Sequence, residues 1–319
     1  MMKKRPVKGR FAPSPTGRIH LGNIFCALIA WLAVRSANGE MILRIEDLDP
    51  DRSKKEYAVQ LEKDLHWLGL DWDIGGISQP QYCQSKRTAF YAQAYAALEE
   101  QNLLYPCFCT RAERAASAPH TADGASIYSG HCRNLSPEEI VRLSASRKPA
   151  IRFRVPEGCY SFTDGVQGKE YGNWESCGDF ILRRTDGVYA YQLAVVVDDG
   201  SMGITQVVRG RDLLNATPQQ LLLYERLGYE PPEFFHIPLL VAPDGRRLSK
   251  REKDLDLGAL QKKYQPEEII GWLAWKSGLL NQYEPIQARE LISLFQWERL
   301  TPHDIVVPSC KEKDLSITF

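Results

Sequence analysis

The stretch from residue 10 to residue 23, RFAPSPTGRIHLGN, constrains the fold of this chain more than any other. Its two prolines each remove a backbone donor and so end the short strand before them. The apolar run at residues 24–34 predicts a helix directly afterwards. Residues 20–23 therefore stand at the start of that helix, where unpaired N–H groups and the helix dipole favour an anion. The stretch predicts an α/β fold that binds a phosphate.

Three residues at this helix start are candidates for contact with a nucleotide. Gly22 lacks a side chain, so a flat ring or a phosphate can lie close against its backbone. His20 can donate a hydrogen bond to a phosphate oxygen, and Asn23 carries a second hydrogen-bonding side chain. A Gly and a His also occur in ordinary strand-to-helix loops, so this stretch alone leaves both interpretations open.

A second cationic segment lies far downstream. Residues 247–251 read RLSKR and follow a turn at Asp244-Gly245. A run of charges usually marks a solvated surface. Here Leu248 and Ser249 alternate with the cations, which favours a loop that contacts a ligand.

Composition limits the classes of protein that fit. The chain has 319 residues, enough for about two domains, with 40 Lys plus Arg against 40 Asp plus Glu. Since the net charge is zero, any contact with RNA must come from local patches. We find neither the apolar core of a signal peptide nor a stretch of about 18 apolar residues, and expect a cytoplasmic protein without a membrane segment.

Eight cysteines in a chain of this kind favour reduced thiols or a metal site over disulfides. Cys107 and Cys109 are followed about twenty positions later by Cys132, with Tyr128 and His131 nearby. We expect the three cysteines to be zinc ligands, with the fourth position open between Tyr128 and His131. The spacing is not a C-x-x-C pair, so structural thiols explain it about as well.

Acidic residues follow the strand predicted at residues 41–45. Asp49 and Asp51 precede a helix that begins near Ser53, and acids there favour its N-terminus. Glu46 fits that role less well. A carboxylate at the end of a parallel strand can instead hold a substrate ammonium group.

The other predicted elements alternate as in a doubly wound fold. Turn-rich residues 158–178 suggest a small β-containing insert. The remaining predicted helices lie at 53–68, 87–101 and 217–227, with another from the capping box at Ser136 to about Ser144 and helical structure from 257 to the end, including a helix opened by Pro266. The remaining predicted strands lie at 150–155, 206–208 and 234–241. A hairpin with arms 180–184 and 188–193 is followed by a buried run at 194–197.

The two segments described first resemble the signature motifs of class I aminoacyl-tRNA synthetases. Residues 20–23 correspond to the "HIGH" motif and residues 247–251 to "KMSKS". Residues 10–15, 44–49, 191–199 and 208–212 look like the catalytic domain of glutamyl-tRNA synthetases. This chain is too short to encode the large helical anticodon-binding region of those enzymes, so we expect the truncated subfamily, the glutamyl-queuosine tRNA(Asp) synthetases.

The resemblance implies a class I Rossmann-type, doubly wound parallel sheet with a zinc-containing α+β insert and a short helical C-terminal region. The domains expected are the first half of the Rossmann domain at 1–102, an inserted acceptor-type subdomain at 103–178, the second half at 179–245, and the KMSKS-like loop with the helical region at 246–319.

It also implies an activity. Glutamate is activated by ATP without tRNA, and is then attached to the queuosine base at the wobble position of tRNA(Asp). The expected partners are therefore ATP, L-glutamate and the anticodon stem-loop of queuosine-containing tRNA(Asp), with the protein a monomer.

Residue roles follow from the same resemblance. His20 and Lys250 are the expected catalytic residues. Glutamate is held by Arg10, Phe11, Ala12, Pro13, Ser14, Glu46, Tyr191 and Arg209; ATP by His20, Gly22, Asn23, Ser249 and Lys250; one structural Zn²⁺ by Cys107, Cys109, Tyr128 and Cys132. Mg²⁺ accompanies ATP. For Arg209, an ion pair with a neighbour such as Asp212 is the alternative.

Three other functions remain open at this point. The chain can be a minimal enzyme that charges tRNA(Glu), an inactive paralogue that binds RNA, or an adenylyltransferase for a small molecule. Pyrophosphate exchange and the identity of the acceptor distinguish them.

Overall fold

A computed structural model of the chain describes residues 5–110, 113, 127–246 and 256–307. The strands of this part are β1 (Lys8–Phe11), β2 (Glu40–Leu43), β3 (Ile74–Gly75), β4 (Leu104–Cys107), β5 (Ala150–Phe153), β6 (Cys159–Asp164), β7 (Gly168–Asn173), β8 (Phe180–Arg183), β9 (Gln206–Gly210), β10 (Glu233–Ile237), β11 (Leu240–Val241) and β12 (Ile305–Val306). Its α-helices are α1 (Leu21–Ser36), α2 (Lys55–Trp67), α3 (Thr88–Glu100), α4 (Pro137–Ser144), α5 (Trp174–Cys177), α6 (Tyr191–Ser201), α7 (Thr217–Leu227), α8 (Leu257–Leu260) and α9 (Pro266–Lys276).

The main sheet is parallel and has the strand order β10-β9-β1-β2-β3. From β1 the chain first builds outward through β2 and β3, and later returns to the other side of β1 as β9 and β10. The order therefore reverses between β1 and β9. In open α/β sheets, ligands bind outside the carboxyl ends of the strands at such a reversal. The predicted class of sheet is confirmed.

Helix α1 starts where the sequence predicts and is the central helix of the core. His20 is its N-cap: the His20 side chain accepts from the backbone of Gly22, and Asn23 Oδ1 accepts from the backbone of His20. The residues of α1 from Ile24 to Val34 are almost all fully buried. Local capping and burial of the apolar run together hold this helix start in place.

A second group of strands lies between the two halves of the main sheet in the chain. β4, β5 and β8 form an antiparallel sheet, and β6 pairs with β7 in a hairpin. The capping box predicted at Ser136 is present and opens α4. β8, which the predicted boundaries assign to the second Rossmann half, pairs with β5. Phe153 of β5 and Phe180 of β8 share a buried cluster with α6 and α7, so this group packs on the main sheet.

The hairpin arm predicted at 188–193 is wrong. Tyr189 makes one bridge with Arg183, and helix α6 begins at Tyr191. The run from Leu193 to Asp199 is buried on all sides, and an apolar run of that kind does not distinguish a buried helix from a strand by its periodicity. Tertiary packing overrides the strand preference of its valines.

The predicted C-terminal region also needs correction. α9 begins at Pro266 as expected, and Trp272 is buried. Gly278, with φ of 91°, follows the end of α9, and two 3₁₀ turns and strand β12 come after it. The strand predicted at 234–241 divides into β10 and β11 because Pro238 has no N–H to donate. Within the described residues, no helix combines the length and apolar character needed to span a membrane.

Candidate active site

A cavity of about 730 Å³ opens outside the carboxyl ends of β1, β9 and β10. Its lining includes the predicted glutamate and nucleotide residues that the structure describes: Arg10, Phe11, Ala12, Pro13, Ser14, His20, Gly22, Asn23, Glu46, Tyr191 and Arg209. Ser249 and Lys250 lie outside the described residues. The chain thus brings segments nearly 200 positions apart to one cavity at the reversal of the strand order.

The capping contact of α1 defines the chemistry of His20. Its Nδ1 accepts from the Gly22 N–H over 3.2 Å, so in the neutral ring the proton lies on Nε2. A Cβ at position 22 would approach that ring to 3.2 Å, so glycine leaves room for it. The helix start therefore combines an imidazole N–H with the positive end of the dipole of α1, which suits a phosphate.

Buried guanidiniums and carboxylates lie beside each other behind one side of the cavity. Asp199 accepts from Arg10 Nε over 3.2 Å and also pairs with Arg44, whose Nη2 donates to Glu46 over 3.1 Å. Asp198 binds Arg87 in the same way. We call this group of side chains the paired network; its members are Arg10, Arg44, Arg87, Glu46, Asp198 and Asp199. Each of the six side chains is at least nine-tenths buried. Three positive and three negative charges cancel.

Glu46 is a member of the paired network that also lines the cavity. Its burial raises the pKa of the carboxyl group above the ordinary value, while the nearby Arg44 and Arg10 act in the opposite direction. A bound ammonium group would supply a further positive charge and favour the ionised form. The position fits the predicted role of Glu46 as a ligand for an amino group.

Arg209 also lines the cavity but has a different environment. Its Nε donates to His236 Nε2 over 2.9 Å, its Nη1 to Gln220 Oε1 over 2.7 Å and its Nη2 to Thr217 Oγ1 over 2.8 Å. None of these acceptors is a carboxylate, and Asp212 is not among them. Burial lowers the pKa of the guanidinium. A buried cation held only by neutral groups favours an anionic ligand.

The sequence reasoning assigned no role to three buried residues around the cavity. Arg44 and Asp199 are the centre of the paired network, and His236 binds Arg209 directly. One signal was available for Asp199: an acid that ends the apolar run of α6 is a candidate for a buried counter-charge. No local signal marks His236.

The predicted metal ligands converge at a separate place. The Sγ atoms of Cys107, Cys109 and Cys132 lie within 4.8 Å of one another, and those of Cys109 and Cys132 are 3.5 Å apart. Tetrahedral Zn–S bonds of about 2.3 Å place sulfurs about 3.8 Å apart, so the thiols fit such an ion. Tyr128 Oη lies 3.4 Å from Cys107 Sγ, whereas His131 is exposed. Tyr128 Oη thus lies beside the thiols, and the fourth ligand stays a prediction.

Comparisons with known proteins agree with this geometry. The catalytic domain of the class I tRNA synthetases (E and Q) matches residues 6–307. A glutamyl-Q tRNA(Asp) synthetase from Nitratidesulfovibrio vulgaris is 48% identical, over 95% of this chain and 96% of that protein. One from Symbiobacterium thermophilum is 47% identical, over 94% and 96%.

Longer relatives match over part of their length. A glutamate–tRNA ligase from Aquifex aeolicus is 43% identical over 90% of this chain but only 60% of its own length. The crystal structure of a glutamate tRNA ligase from Elizabethkingia meningosepticum, in complex with its amino acid, has a TM-score of 0.79 at 28% identity. The match covers 95% of this chain and 67% of that one.

Proposed function

This chain belongs to the class I tRNA synthetases (E and Q) and is a ligase of that type, and from this premise we propose that it attaches L-glutamate to the queuosine of tRNA(Asp). The reaction has two steps. Glutamate is first activated by ATP to glutamyl-adenylate without the help of tRNA. A hydroxyl of the queuosine base at the wobble position then attacks the carbonyl carbon of the glutamyl group, loses its proton and displaces AMP.

The observation that carries this proposal is the buried charge of Arg209. The paired network balances its own charges, whereas Arg209 has only neutral hydrogen-bond acceptors among the described residues. Among the described residues, these contacts use three of the five N–H groups of Arg209. One N–H on each terminal nitrogen therefore remains for a ligand. A substrate carboxylate that accepts them neutralises the buried charge, whereas the neutral amide of glutamine does not.

Other residues of the cavity suit the rest of the substrate. Glu46 offers a carboxylate for the α-ammonium group, and Arg10 offers a second guanidinium for a second carboxylate. Tyr191 adds a phenol at the cavity wall, and Ser14 a hydroxyl at its rim. An amino acid with two carboxylates and one ammonium group matches this set of charges.

Activation requires little covalent chemistry from the protein. An oxygen of the glutamate α-carboxylate attacks the α-phosphorus of ATP, the bond to the bridging oxygen breaks, and pyrophosphate leaves. We expect His20 to donate from Nε2 to a phosphate oxygen, while the start of α1 favours the negative charge. Mg²⁺ with ATP neutralises phosphate charge. We expect Lys250, which lies outside the described residues, to add a further cation.

The cysteine cluster has a structural role in this proposal. Cys107, Cys109, Cys132 and Tyr128 would hold one Zn²⁺, which would link β4 to the segment around Cys132. Such an ion stabilises the strands around it and takes no part in the chemistry.

The acceptor is supported by the comparisons. The two relatives named glutamyl-Q tRNA(Asp) synthetase are matched over 96% of their length, and the glutamate–tRNA ligase from Aquifex aeolicus over 60%. We extend to this chain what those names state of the relatives. We also expect it to act as a monomer, which sedimentation measures directly.

Transfer of labelled glutamate tests the proposal. The enzyme is incubated with ATP and Mg²⁺ and with tRNA(Asp) carrying queuosine, tRNA(Asp) lacking it, or tRNA(Glu); pyrophosphate exchange is measured without tRNA. We expect exchange without tRNA and label on the queuosine-containing tRNA alone. Label on tRNA(Glu) instead would make this a charging enzyme, and absence of exchange under every condition would make it an inactive paralogue.

A further inference from the structure

Arg209 is held by His236, a residue on the neighbouring strand. In the parallel register of β9 and β10, Arg209 and His236 are partners. Arg209 Nε–H donates to His236 Nε2 over 2.9 Å, so Nε2 carries no proton. Burial lowers the pKa of His236, with Asp164 acting in the opposite direction and Arg209 in the same one. The single ring proton therefore lies on Nδ1.

Asp164, the last residue of β6, holds that proton in place. Its Oδ2 accepts from His236 Nδ1 over 2.6 Å. Its Oδ1 accepts the backbone N–H groups of Val166, Gln167 and His236 over 3.0, 2.9 and 3.1 Å. The β6–β7 hairpin thus fixes the tautomer of His236, and the tautomer leaves Nε2 as an acceptor for Arg209. We call Asp164 and His236 the histidine path.

A second series of hydrogen bonds reaches Arg209 at a different nitrogen, Nη1. Gln220 Oε1 accepts from Arg209, so Gln220 Nε2 donates to Gln192 Oε1 over 2.7 Å. Gln192 Nε2 donates to Gln219 Oε1 over 2.9 Å, and Gln219 Nε2 donates to the carbonyl of Cys177 over 2.9 Å. Each amide is oriented by the one before it. We call Gln219, Gln192 and Gln220 the glutamine path.

Both paths end in the segment between β5 and β8. Asp164 ends β6, and Cys177 is the last residue of the short helix α5 that follows β7. The hairpin packs tightly on β10: the N–H of Gly165 donates to Phe234 O over 2.8 Å, and a Cβ at position 165 would overlap the ring of Phe235. Gln167 Nε2 also donates to the carbonyl of His236 over 2.8 Å. Residues 159–178 are therefore rigidly connected to Arg209.

We infer that Asp164, His236 and Gln192 are positioning residues, which orient Arg209 for the substrate carboxylate and so set the affinity for glutamate. The inference rests on the proposed function, because it requires Arg209 to bind glutamate. None of the three residues contacts the substrate in this account, and each acts through the guanidinium that they hold.

The Asp164→Asn variant tests the histidine path. Three backbone N–H groups keep the amide oxygen of the introduced side chain where Oδ1 of Asp164 lies, so its NH₂ group faces His236 Nδ1. The ring proton of His236 then moves to Nε2 and points at the Nε–H group of Arg209. Arg209 thereby loses the acceptor for that N–H group. We expect the KM for glutamate to rise at least tenfold in pyrophosphate exchange, with kcat and the KM for ATP within threefold of wild type.

A spectroscopic readout separates positioning from general damage. The ¹⁵N chemical shifts of His236 should report a proton on Nδ1 in the wild type and on Nε2 in Asp164→Asn, with an unchanged melting temperature as the evidence of folding. Tyr171→Ala is the matched control on the same hairpin, because Tyr171 is 79% exposed. We expect wild-type kinetics for it.

Two more variants decide the question if Asp164→Asn does not fold. Gln192→Leu cuts the glutamine path and should raise the KM for glutamate at least fivefold. His236→Gln keeps an oxygen that can accept from Arg209 and should bind glutamate more tightly than His236→Leu. The inference is wrong if the folded variants keep the wild-type KM for glutamate within twofold. Absence of glutamate-dependent exchange in the wild type would instead reject the proposed function.

Discussion

The arginines around the cavity are held in two opposite ways. In the paired network, every guanidinium lies beside a buried carboxylate, and the positive and negative charges are equal in number. Arg209 is equally buried but is held by an imidazole, an amide and a hydroxyl. The paired charges compensate one another, whereas the charge of Arg209 has no carboxylate partner among the residues that the structure describes. We therefore expect a buried cation with neutral partners to mark the substrate position.

Arg209→Gln should produce the largest effect. Loss of a buried, charge-assisted contact to the substrate carboxylate costs about 4 kcal/mol, or about 10³-fold in kcat/KM for glutamate. Stability should change by less than about 2 kcal/mol, because removal of a desolvated charge offsets the loss of its hydrogen bonds to His236, Gln220 and Thr217. Pyrophosphate exchange and urea unfolding measure the two quantities. A variant that is less stable by about 2 kcal/mol or more would show that the charge of Arg209 is already compensated.

Asp199→Asn should have the opposite signature. The variant leaves the buried guanidiniums of Arg10 and Arg44 without the negative charge of Asp199. Because breaking a buried ion pair in this way costs about 3 kcal/mol, we expect the free energy of unfolding to fall by about that amount. Urea unfolding measures the loss. The matched control is Asp186→Asn, because Asp186 pairs with Arg184 at the surface, where such pairs contribute less than about 1 kcal/mol. Equal losses of unfolding free energy in the two variants would contradict the claim that the buried pairs stabilise the protein more than the exposed ones.

Glu46 links the two parts of the comparison, since it belongs to the paired network and also lines the cavity. Burial raises the pKa of its carboxyl group. Because the ammonium group of glutamate needs the ionised form, the KM for glutamate should increase as pH falls through this raised pKa. The stability of the fold depends on pH in the opposite direction. The raised pKa of Glu46 stabilises the folded protein at a pH below the ordinary carboxyl pKa, and this contribution is lost as the pH rises through the pKa of Glu46 in the folded protein.

Glu46→Gln tests that assignment. We expect kcat/KM for glutamate to fall about 30-fold at neutral pH, equivalent to about 2 kcal/mol for one charge-assisted contact. In the wild type, protonation of Glu46 should raise the KM for glutamate at acidic pH. This pH dependence should disappear in the variant. A pH profile of pyrophosphate exchange from about pH 5 to 8 gives both results, and an unchanged profile would mean that another group binds the ammonium.

The cysteine cluster should affect glutamate activation least. Cys109→Ser removes one of the three thiols and should lower zinc content and melting temperature, since metal binding is coupled to folding. Pyrophosphate exchange with glutamate should stay within about twofold at a temperature where the variant is folded. Metal analysis and a thermal melt provide the readouts, and a large loss of exchange with an unchanged melt would contradict a structural role.

Much of the site could be predicted from local sequence because the features involved are local. The cap at His20, the glycine at position 22 and the run of α1 all lie within one segment, and the carboxyl ends of parallel strands meet at one edge. The environment of Arg209 could not be predicted in this way. Its partners lie 8, 11 and 27 positions away, and Asp164 is 72 positions from His236. Such contacts arise from packing between elements, which residue spacing does not specify. Helix α6 was missed for a related reason, because a fully buried helix has no polar face.

The measurement that tests the central claim most directly is pyrophosphate exchange by the wild-type protein with L-glutamate or L-glutamine as the only amino acid. The two substrates have nearly the same shape and differ in the charge that Arg209 would neutralise. We predict that kcat/KM for glutamate exceeds that for glutamine by at least about 10³-fold. Comparable exchange with both amino acids would contradict the claim that a buried cation with neutral partners selects the substrate carboxylate.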